Sequence, residues 1–363
     1  MRMDELDYHL PPELIARQPV EPRDHSRLLV YRRGDKSIEH RHFYDLDALL
    51  EPNDLLVANN TRVIPARLEF RKSSGGRIVG LFLEELSHGR WRVLLKTRGR
   101  FTLGSRIESV NSAGAATGDF ATAIDRGSEP GQWIIEWEKP EEYLTRLARI
   151  GSPPLPPYIE KARQQDHHSR LAISDVAAYQ TVYARVPGAL AAPTAGLHFT
   201  PAVLARLKDK GIRQCELTLH VGLGTFLPVK TTLIHQHPMH AEWFNIPAAT
   251  VHAVRAVRQV GGRIVAVGTT TVRSLEAAAE RIFPEPGTGC ETSDFCGSTN
   301  LLISPGYQMR VVDVLITNFH LPRSTLLALV AAIISPEELR RVYQEAVVQR
   351  YRFYSFGDAM IIL

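Results

Sequence analysis

The amino-acid sequence predicts an α/β protein that carries an inserted β-rich block, and three observations predict it. The C-terminal half alternates strand and helix patterns, the arrangement that builds parallel sheets. Residues 66–139 instead hold short β-rich runs separated by Gly, Ser and Asn, with scarce helix signals. The length, 363 residues, exceeds what a single core ordinarily organises, so two domains are expected.

Each element has its own reason. Residues 6–22 are bounded by prolines and suit short helical turns. Arg27-Leu-Leu-Val-Tyr31 and Asp54-Leu-Leu-Val-Ala-Asn59 are apolar strand signals. Within the β-rich block the runs are residues 77–83, 91–95, 106–110, 121–124 and 133–137, a spacing that predicts a small sandwich or barrel. Pro140-Glu-Glu opens a helix, because proline suits its first turn and acids favour its positive end. Gly151-Ser-Pro-Pro-Leu-Pro-Pro-Tyr158 fits neither a helix interior nor a central strand; it is a rigid linker or an extended wall beside a site. Thr200 caps a helix with Pro201 in its first turn, running to Gly211. Strand 216–221, helix 248–260, strand 263–268, a helix from Thr269 through Arg281, strand 312–317 and helix 324–334 complete the alternation. Residues 283–300, rich in Gly, Ser, Thr and Pro, are expected as an exposed loop. The expected organisation is residues 1–65 and 146–363 in the α/β domain, with 66–145 inserted.

Composition narrows the function classes. A hydrophobic share of 44% with 23% charged residues permits a sizeable core without disulfides or metals. Lys+Arg exceed Asp+Glu by 43 to 39, which permits an anionic partner without requiring one. The cations are mostly arginine, whose planar fork suits phosphate. Three cysteines, Cys215, Cys290 and Cys296, are too few and too irregularly spaced for a disulfide framework or structural zinc. The first residues lack an apolar signal region, and no apolar run reaches membrane-spanning length. A cytoplasmic protein is therefore expected.

Ligands of parallel α/β sheets gather at the carboxyl ends of the strands, which selects four segments. Ala191-Ala-Pro-Thr-Ala-Gly-Leu-His-Phe-Thr200 joins small residues to a helix start; Thr194, Gly196 and His198 are its candidates. Leu217-Thr-Leu-His-Val-Gly-Leu-Gly-Thr-Phe226 brings His220 beside Gly222, Gly224 and Thr225 at a strand end. The third glycine of a dinucleotide fingerprint is missing, so this is a close-approach turn or an ordinary tight one. In Ile264-Val-Ala-Val-Gly-Thr-Thr-Thr-Val-Arg273 a buried strand meets a helix start, where Thr269, Thr270 and Arg273 can hold an anion or simply cap the helix. Leu315-Ile-Thr-Asn-Phe-His-Leu-Pro ends an apolar strand in Asn318 and His320, which packing does not require. Two terminal segments add candidates: Glu21-Pro-Arg-Asp-His-Ser-Arg27, a compact charge cluster, and Tyr351-Arg-Phe-Tyr-Ser-Phe-Gly-Asp358, aromatic with a buried-looking Asp358. No metalloprotease helix, Cys/His metal pattern or complete phosphate loop is present, so no metal is expected.

At these same segments the chain resembles a known family. Leu10-Pro-Pro-Glu-Leu-Ile-Ala, Asn59-Asn-Thr-Arg-Val-Ile-Pro-Ala-Arg67, Pro154-Leu-Pro-Pro-Tyr-Ile, Tyr179-Gln-Thr-Val-Tyr-Ala, Ala192-Pro-Thr-Ala-Gly-Leu-His-Phe-Thr200, His220-Val-Gly-Leu-Gly-Thr-Phe, Ala266-Val-Gly-Thr-Thr, Thr317-Asn-Phe-His-Leu-Pro and Tyr351-Arg-Phe are similar to the S-adenosylmethionine:tRNA ribosyltransferase-isomerase family of queuosine biosynthesis. The similarity spans nearly the whole chain in order. One departure stands at Asn60, where family members commonly carry Asp; residues 283–300 also look longer than usual.

The resemblance implies a barrel-like α/β domain with a small β-barrel insertion. It implies a substrate tRNA bearing 7-aminomethyl-7-deazaguanine at the wobble position, and S-adenosylmethionine as co-substrate. The ribosyl group is transferred and isomerised to give epoxyqueuosine, releasing adenine and methionine. On that chemistry His198, His220, His320 and, less centrally, Asp358 are candidates for proton transfer. Thr194, Gly196, Gly222, Gly224, Thr225, Thr269, Thr270, Arg273 and Asn318 are candidates for the co-substrate site, and Arg62 and Arg67 for tRNA phosphates. The enzyme is expected to act as a monomer. Two other classes stay open: a methyltransferase using the same co-substrate, though its early glycine-rich loop is missing, and a non-catalytic RNA-binding protein.

Overall fold

The computed structural model describes residues 1–155, 177–222, 224, 231–285 and 293–363. In chain order the strands are β1 (Arg27–Tyr31), β2 (Ile38–His42), β3 (Leu55–Asn59), β4 (Thr61–Val63), β5 (Arg67–Lys72), β6 (Arg77–Ser87), β7 (Arg90–Thr97), β8 (Arg106–Val110), β9 (Ala116–Arg126), β10 (Gln132–Trp137), β11 (Val186–Ala189), β12 (Arg213–Leu219), β13 (Glu242–Ile246), β14 (Ile264–Val267), β15 (Phe295–Thr299), β16 (Val314–Asn318) and β17 (Ala359–Ile362). They divide between two compact units, one of Met1–Arg62, Ala162–Val186 and Ala192–Leu363, the other of Val63–Lys161 and Pro187–Ala191.

The larger unit is built on a nine-stranded sheet ordered β15-β13-β12-β3-β14-β16-β17-β1-β2. Its centre, β12, β3, β14 and β16, is parallel throughout. β3, β14 and β16 are buried at every position, as parallel strands covered on both faces must be. One covering layer packs Phe199, Val203 and Leu207 against Val265, Val267, Val314 and Ile316. The helix Pro201–Asp209 starts where Thr200 accepts the Val203 N–H, with Pro201 in its first turn. Ser324 caps Thr325–Ile334 in the same way.

Antiparallel strands extend the parallel centre on both sides. β13 and β15 add to β12, while β17 pairs antiparallel with β16. Phe295–Thr299 is therefore a strand where a loop was expected. Its Gly- and Ser-containing sequence has little strand propensity, and a ladder with β13 from Glu242↔Thr299 to Ile246↔Phe295 supplies what propensity lacks. The helix expected from Thr269 through Arg281 breaks at Ala278, leaving Thr269–Ala277 and Ala279–Ile282. Pro336–Val348 is a further helix, capped by Ser335.

The second unit contains a closed six-stranded barrel, β10-β7-β6-β5-β8-β9, antiparallel at every pairing. Closure resolves the sandwich-or-barrel alternative. Inward positions alternate along each strand, with Trp91, Val93, Phe70, Ile78, Trp133, Ile135 and Trp137 buried. Gly80 lies among them because an added Cβ would stand 2.9 Å from Leu95 Cδ2 and 3.2 Å from Phe70 Cε2. Among the described residues, no helix is long and apolar enough to cross a membrane.

Candidate active site

In the larger unit the apolar parallel strands end in polar residues. β3 ends at Asn59, β14 runs into Gly268, β16 ends at Asn318, and His220 follows β12. Asn59 ties three of these ends together. Its Oδ1 accepts the N–H groups of Thr61 (3.1 Å) and Leu219 (3.0 Å), and its amide donates to Leu219 O (2.9 Å) and Thr270 Oγ1 (3.3 Å). Gly268 has φ 86° and ψ 156°, a conformation open essentially to glycine alone. The loop from Ala192 to Thr200 reaches this strand end, where the Ala195 Cβ lies 3.6 Å from a Cβ built on Gly268.

That loop forms a short 3-10 helix, Thr194–His198, and places His198 in a buried network. Asn318 Nδ2 donates to Tyr354 O (3.2 Å) and to His198 Nε2 (3.1 Å). Nε2 is therefore an acceptor, and the ring proton sits on Nδ1, which donates to Ser26 Oγ (2.7 Å). Phe43 stacks on the ring at 5.1 Å. Burial, helped by the positive fields of Arg352 and Arg23, pushes the His198 pKa down to about 3. His198 is thus a neutral imidazole of one tautomer. Pro19, Val20, Ser355, Phe356 and Gly357 line a narrow cleft beside His198 and Ser26. The two terminal segments singled out in the sequence thereby meet here.

Three buried polar atoms around this loop have no hydrogen-bond partner among the described residues: Asn318 Oδ1, Thr181 Oγ1 and Tyr183 Oη. Thr181 and Tyr183 close over Gly196, whose added Cβ would lie 2.7 Å from Thr181 Cγ2 and 2.2 Å from Tyr183 Oη. The requirement for glycine at position 196 is thus met by packing. Buried polar groups are nearly always paired in native proteins, so three such atoms around one loop can take a polar ligand or water.

A second cluster surrounds His220. Its Nδ1 lies 2.8 Å from Thr61 Oγ1, its ring stacks on Trp243 at 5.1 Å, and Nε2 has no partner among the described residues. Burial lowers its pKa. The next strand supplies Glu242, which accepts the Gly222 N–H at 3.1 Å and pairs with Arg273. Arg273 also donates to Leu301 O (3.1 Å) and Thr299 O (3.3 Å). Arg273, expected to clamp a substrate anion, is buried with its charge matched by Glu242. Thr269 and Thr270 open the helix behind it, Thr270 Oγ1 receiving the Asn59 amide. A Cβ on Gly222 would meet nothing within 4 Å, whereas on Gly224 it would stand 2.6 Å from His240 Cδ2. Thr225 lies outside the described residues.

The structure separates other candidates from these clusters. His320 Nε2 bonds Thr317 Oγ1 at 2.8 Å, and burial lowers its pKa to about 4. Thr317 and Asn318 are successive strand residues, so His320 and His198 are held from opposite faces of β16. Asp358 is also reassigned. Its carboxylate accepts the Arg27 and Arg352 backbone N–H groups (3.0 and 2.8 Å) and pairs with the Arg27 guanidinium. It clamps β1 to the C-terminal segment. Asn60, the departure from the family pattern, donates to Glu216 Oε2 (2.8 Å) and accepts from Thr218 Oγ1 (2.7 Å). Arg62 is exposed on β4; Arg67, half-buried in the second unit, pairs its backbone with Ser152.

Several site residues were not individually recognisable in sequence. Ser26 sat inside a segment that signals only mixed charge, and Thr181 and Tyr183 in one quoted only for similarity. Glu242 and Trp243 lie on β13, which has no strong strand signal. Ser26 acquires its place through a partner 172 residues away, Thr181 and Tyr183 through Gly196 in the following loop, and Glu242 and Trp243 across a sheet ladder.

Known proteins agree with these features. A family model described as queuosine biosynthesis protein matches residues 3–362. The S-adenosylmethionine:tRNA ribosyltransferase-isomerase of Gloeobacter violaceus is 48% identical over 362 residues, covering 99% of this chain and 95% of that protein. The protein of the same name from Thermosynechococcus vestitus is 49% identical over 366 residues, covering 99% and 96%. The crystal structure of S-adenosylmethionine tRNA ribosyltransferase from Thermotoga maritima aligns with a TM-score of 0.54 and 39% identity, over 99% of this chain and 100% of that one. The chain belongs to the queuosine biosynthesis protein family.

Proposed function

We propose that this chain transfers and isomerises the ribosyl group of S-adenosylmethionine onto 7-aminomethyl-7-deazaguanine at the wobble position of tRNA, giving epoxyqueuosine-tRNA, adenine and methionine. Family membership and the names of the relatives support the reaction. The observation that supports its placement is the trio of polar atoms without a partner among the described residues, Asn318 Oδ1, Thr181 Oγ1 and Tyr183 Oη, around the Thr194–His198 turn. A hydroxyl-rich ribosyl group supplies what they lack.

The chemistry assigns different work to the histidines. The sulfonium acidifies the adjacent C5′ protons, a base removes one, and adenine takes up a proton as it leaves. His220 is the histidine for that transfer. Its Nε2 has no partner among the described residues, its ring is held by Thr61 and Trp243, and it is only half-buried. His198 has both nitrogens engaged and instead fixes Ser26 and Asn318 in place. Gly222, Gly224, Thr194, Thr269 and Thr270 line the backbone approach to the co-substrate, with Thr225 assigned from sequence alone. The attacking nucleophile is the amine of the tRNA base, so no covalent enzyme nucleophile is needed. Arg62 and Arg67 contact tRNA phosphates. The enzyme works as a cytoplasmic monomer.

The test is adenine release from S-adenosylmethionine with and without tRNA carrying the aminomethyl-deazaguanine base. Release that depends on that tRNA is expected. Methyl label entering tRNA instead of released methionine would replace this reaction with methyl transfer.

A further inference from the structure

Most arginines of the barrel unit are matched by carboxylates. Arg77 pairs with Glu69, Arg90 with Glu136, Arg92 with Glu84 and Arg106 with Glu138. One end of the barrel breaks this pattern. The carboxyl end of β7, the start of β8 and the β9–β10 turn meet there, as the pairings Val79↔Lys96, Lys72↔Ile107 and Trp133↔Arg126 require. Lys96, Arg98 and Arg100 are exposed at this end, and none has a carboxylate partner among the described residues.

The segment carrying them is preorganised. Lys72 Nζ donates to the carbonyls of Arg98 (2.8 Å) and Arg100 (3.0 Å), so a fourth cation fixes the backbone between the arginines. Gly99 turns the chain at φ 74°. Phe101 then anchors the segment edge-on to Trp133 at 4.7 Å, and Arg126 lies 4.3 Å over the same indole. Asp125 and Glu129 are exposed at the β9–β10 turn, and the half-buried Glu108 on β8 is the acid nearest Arg100 in sequence. Uncompensated cations held together repel one another, and a polyanion offsets that repulsion. Arginines projecting from a fixed backbone suit phosphates at regular spacing, whereas an acidic peptide presents carboxylates without that regularity.

We infer that this end of the barrel, through Lys96, Arg98 and Arg100 on the Lys72-braced segment, docks the sugar-phosphate backbone of the substrate tRNA. The assignment of tRNA as occupant rests on the proposed function; the charge pattern stands apart from it.

The test is tRNA binding as a function of salt, with the intact enzyme and an unmodified tRNA transcript, so that no turnover is needed. Each lost phosphate contact lowers the slope of log K against log salt by about 0.7 to 0.9. The triple variant Lys96→Gln, Arg98→Gln, Arg100→Gln is expected to lose about 2 to 3 of that slope, and to bind roughly 10- to 100-fold more weakly at moderate salt. Its KM for S-adenosylmethionine and its kcat at saturating tRNA are expected to stay within about twofold. The double variant Arg90→Gln, Arg92→Gln removes cations that are already paired and is expected to keep the full slope. A folded triple variant with unchanged affinity and slope overturns the inference. So does competition by poly-glutamate as effective as that by tRNA, which would indicate an acidic protein partner. A wild-type enzyme that binds tRNA with this dependence yet releases no adenine once that tRNA carries the aminomethyl-deazaguanine base sinks the proposed reaction and leaves the docking surface standing.

Discussion

Replacing Glu242 by Gln separates a structural from a substrate-binding role for Arg273. The two side chains are 7% and 8% exposed, and they pair with one another at the centre of a small network. Without the carboxylate charge, the guanidinium remains buried with only the carbonyls of Leu301 and Thr299 to neutralise it. Breaking one side of such a pair costs about 3–5 kcal/mol. For a unit of this size each kcal/mol lowers Tm by about 2–4 °C, so a fall of about 6–20 °C is expected. Among the described helices all but Tyr143–Ile150 belong to the larger unit, so the helical circular dichroism signal follows its unfolding. Arg273→Met alone should cost a comparable amount, because Glu242 is then left charged and buried. The double variant should cost distinctly less than the sum, since it removes both charges together. If Glu242→Gln stays within about 1 kcal/mol of wild type while Arg273→Met raises KM for S-adenosylmethionine tenfold or more, Arg273 reaches substrate and the buried-pair account is wrong.

Five other outcomes can be checked. His220→Asn is expected to lower kcat about 10²- to 10⁴-fold with KM values nearly unchanged; a loss matched by His320→Asn but absent in His220→Asn would move the proton transfer elsewhere. The folded pKa values of His198 and His320, about 3 and about 4, lie below the unfolded value of 6.5. Their stabilising effect is thus complete above pH 6.5 and is lost as pH falls from there toward 3 to 4, by about 2 kcal/mol each at pH 5, and urea midpoints at pH 7 and 5 should show it. Gly268→Ala should cost about 1–3 kcal/mol from backbone strain alone, since its nearest neighbour leaves 3.6 Å of room. Gly196→Ala should cost a similar amount by crowding Tyr183 and Thr181, and removing the ring with Tyr183→Ala should relieve part of it in a double variant. Asn60→Asp should destabilise by about 1–2 kcal/mol by facing a carboxylate to Glu216, an effect that added salt should reduce.

The α/β class and the β-rich insertion were legible because both rest on local periodicity. β1 and β8 coincide with their expected bounds, and the helices after Thr200 and Ser324 begin where their caps stand. Elements that depend on a neighbour were not legible. β15 exists because β13 offers it a ladder, and β17 because Ala359–Ile362 fits between β16 and β1. Nothing in the helix pattern after Thr269 marks the break at Ala278, where φ −98° and ψ 7° leave the helical range.

The sequence by itself determined the family resemblance, the class of fold and the loops at strand ends where ligands are to be sought. Those depend on residue types at short spacings, which survive without knowledge of the third dimension. Only the tertiary structure decided what each polar side chain does. It paired Arg273 with Glu242 and Asp358 with Arg27, engaged both nitrogens of His198, and left Nε2 of His220 without a partner among the described residues. A charged or titratable side chain has the same formula wherever it stands; its burial and its partners, here drawn from strands far apart in the chain, set whether it holds the fold together or is free to act.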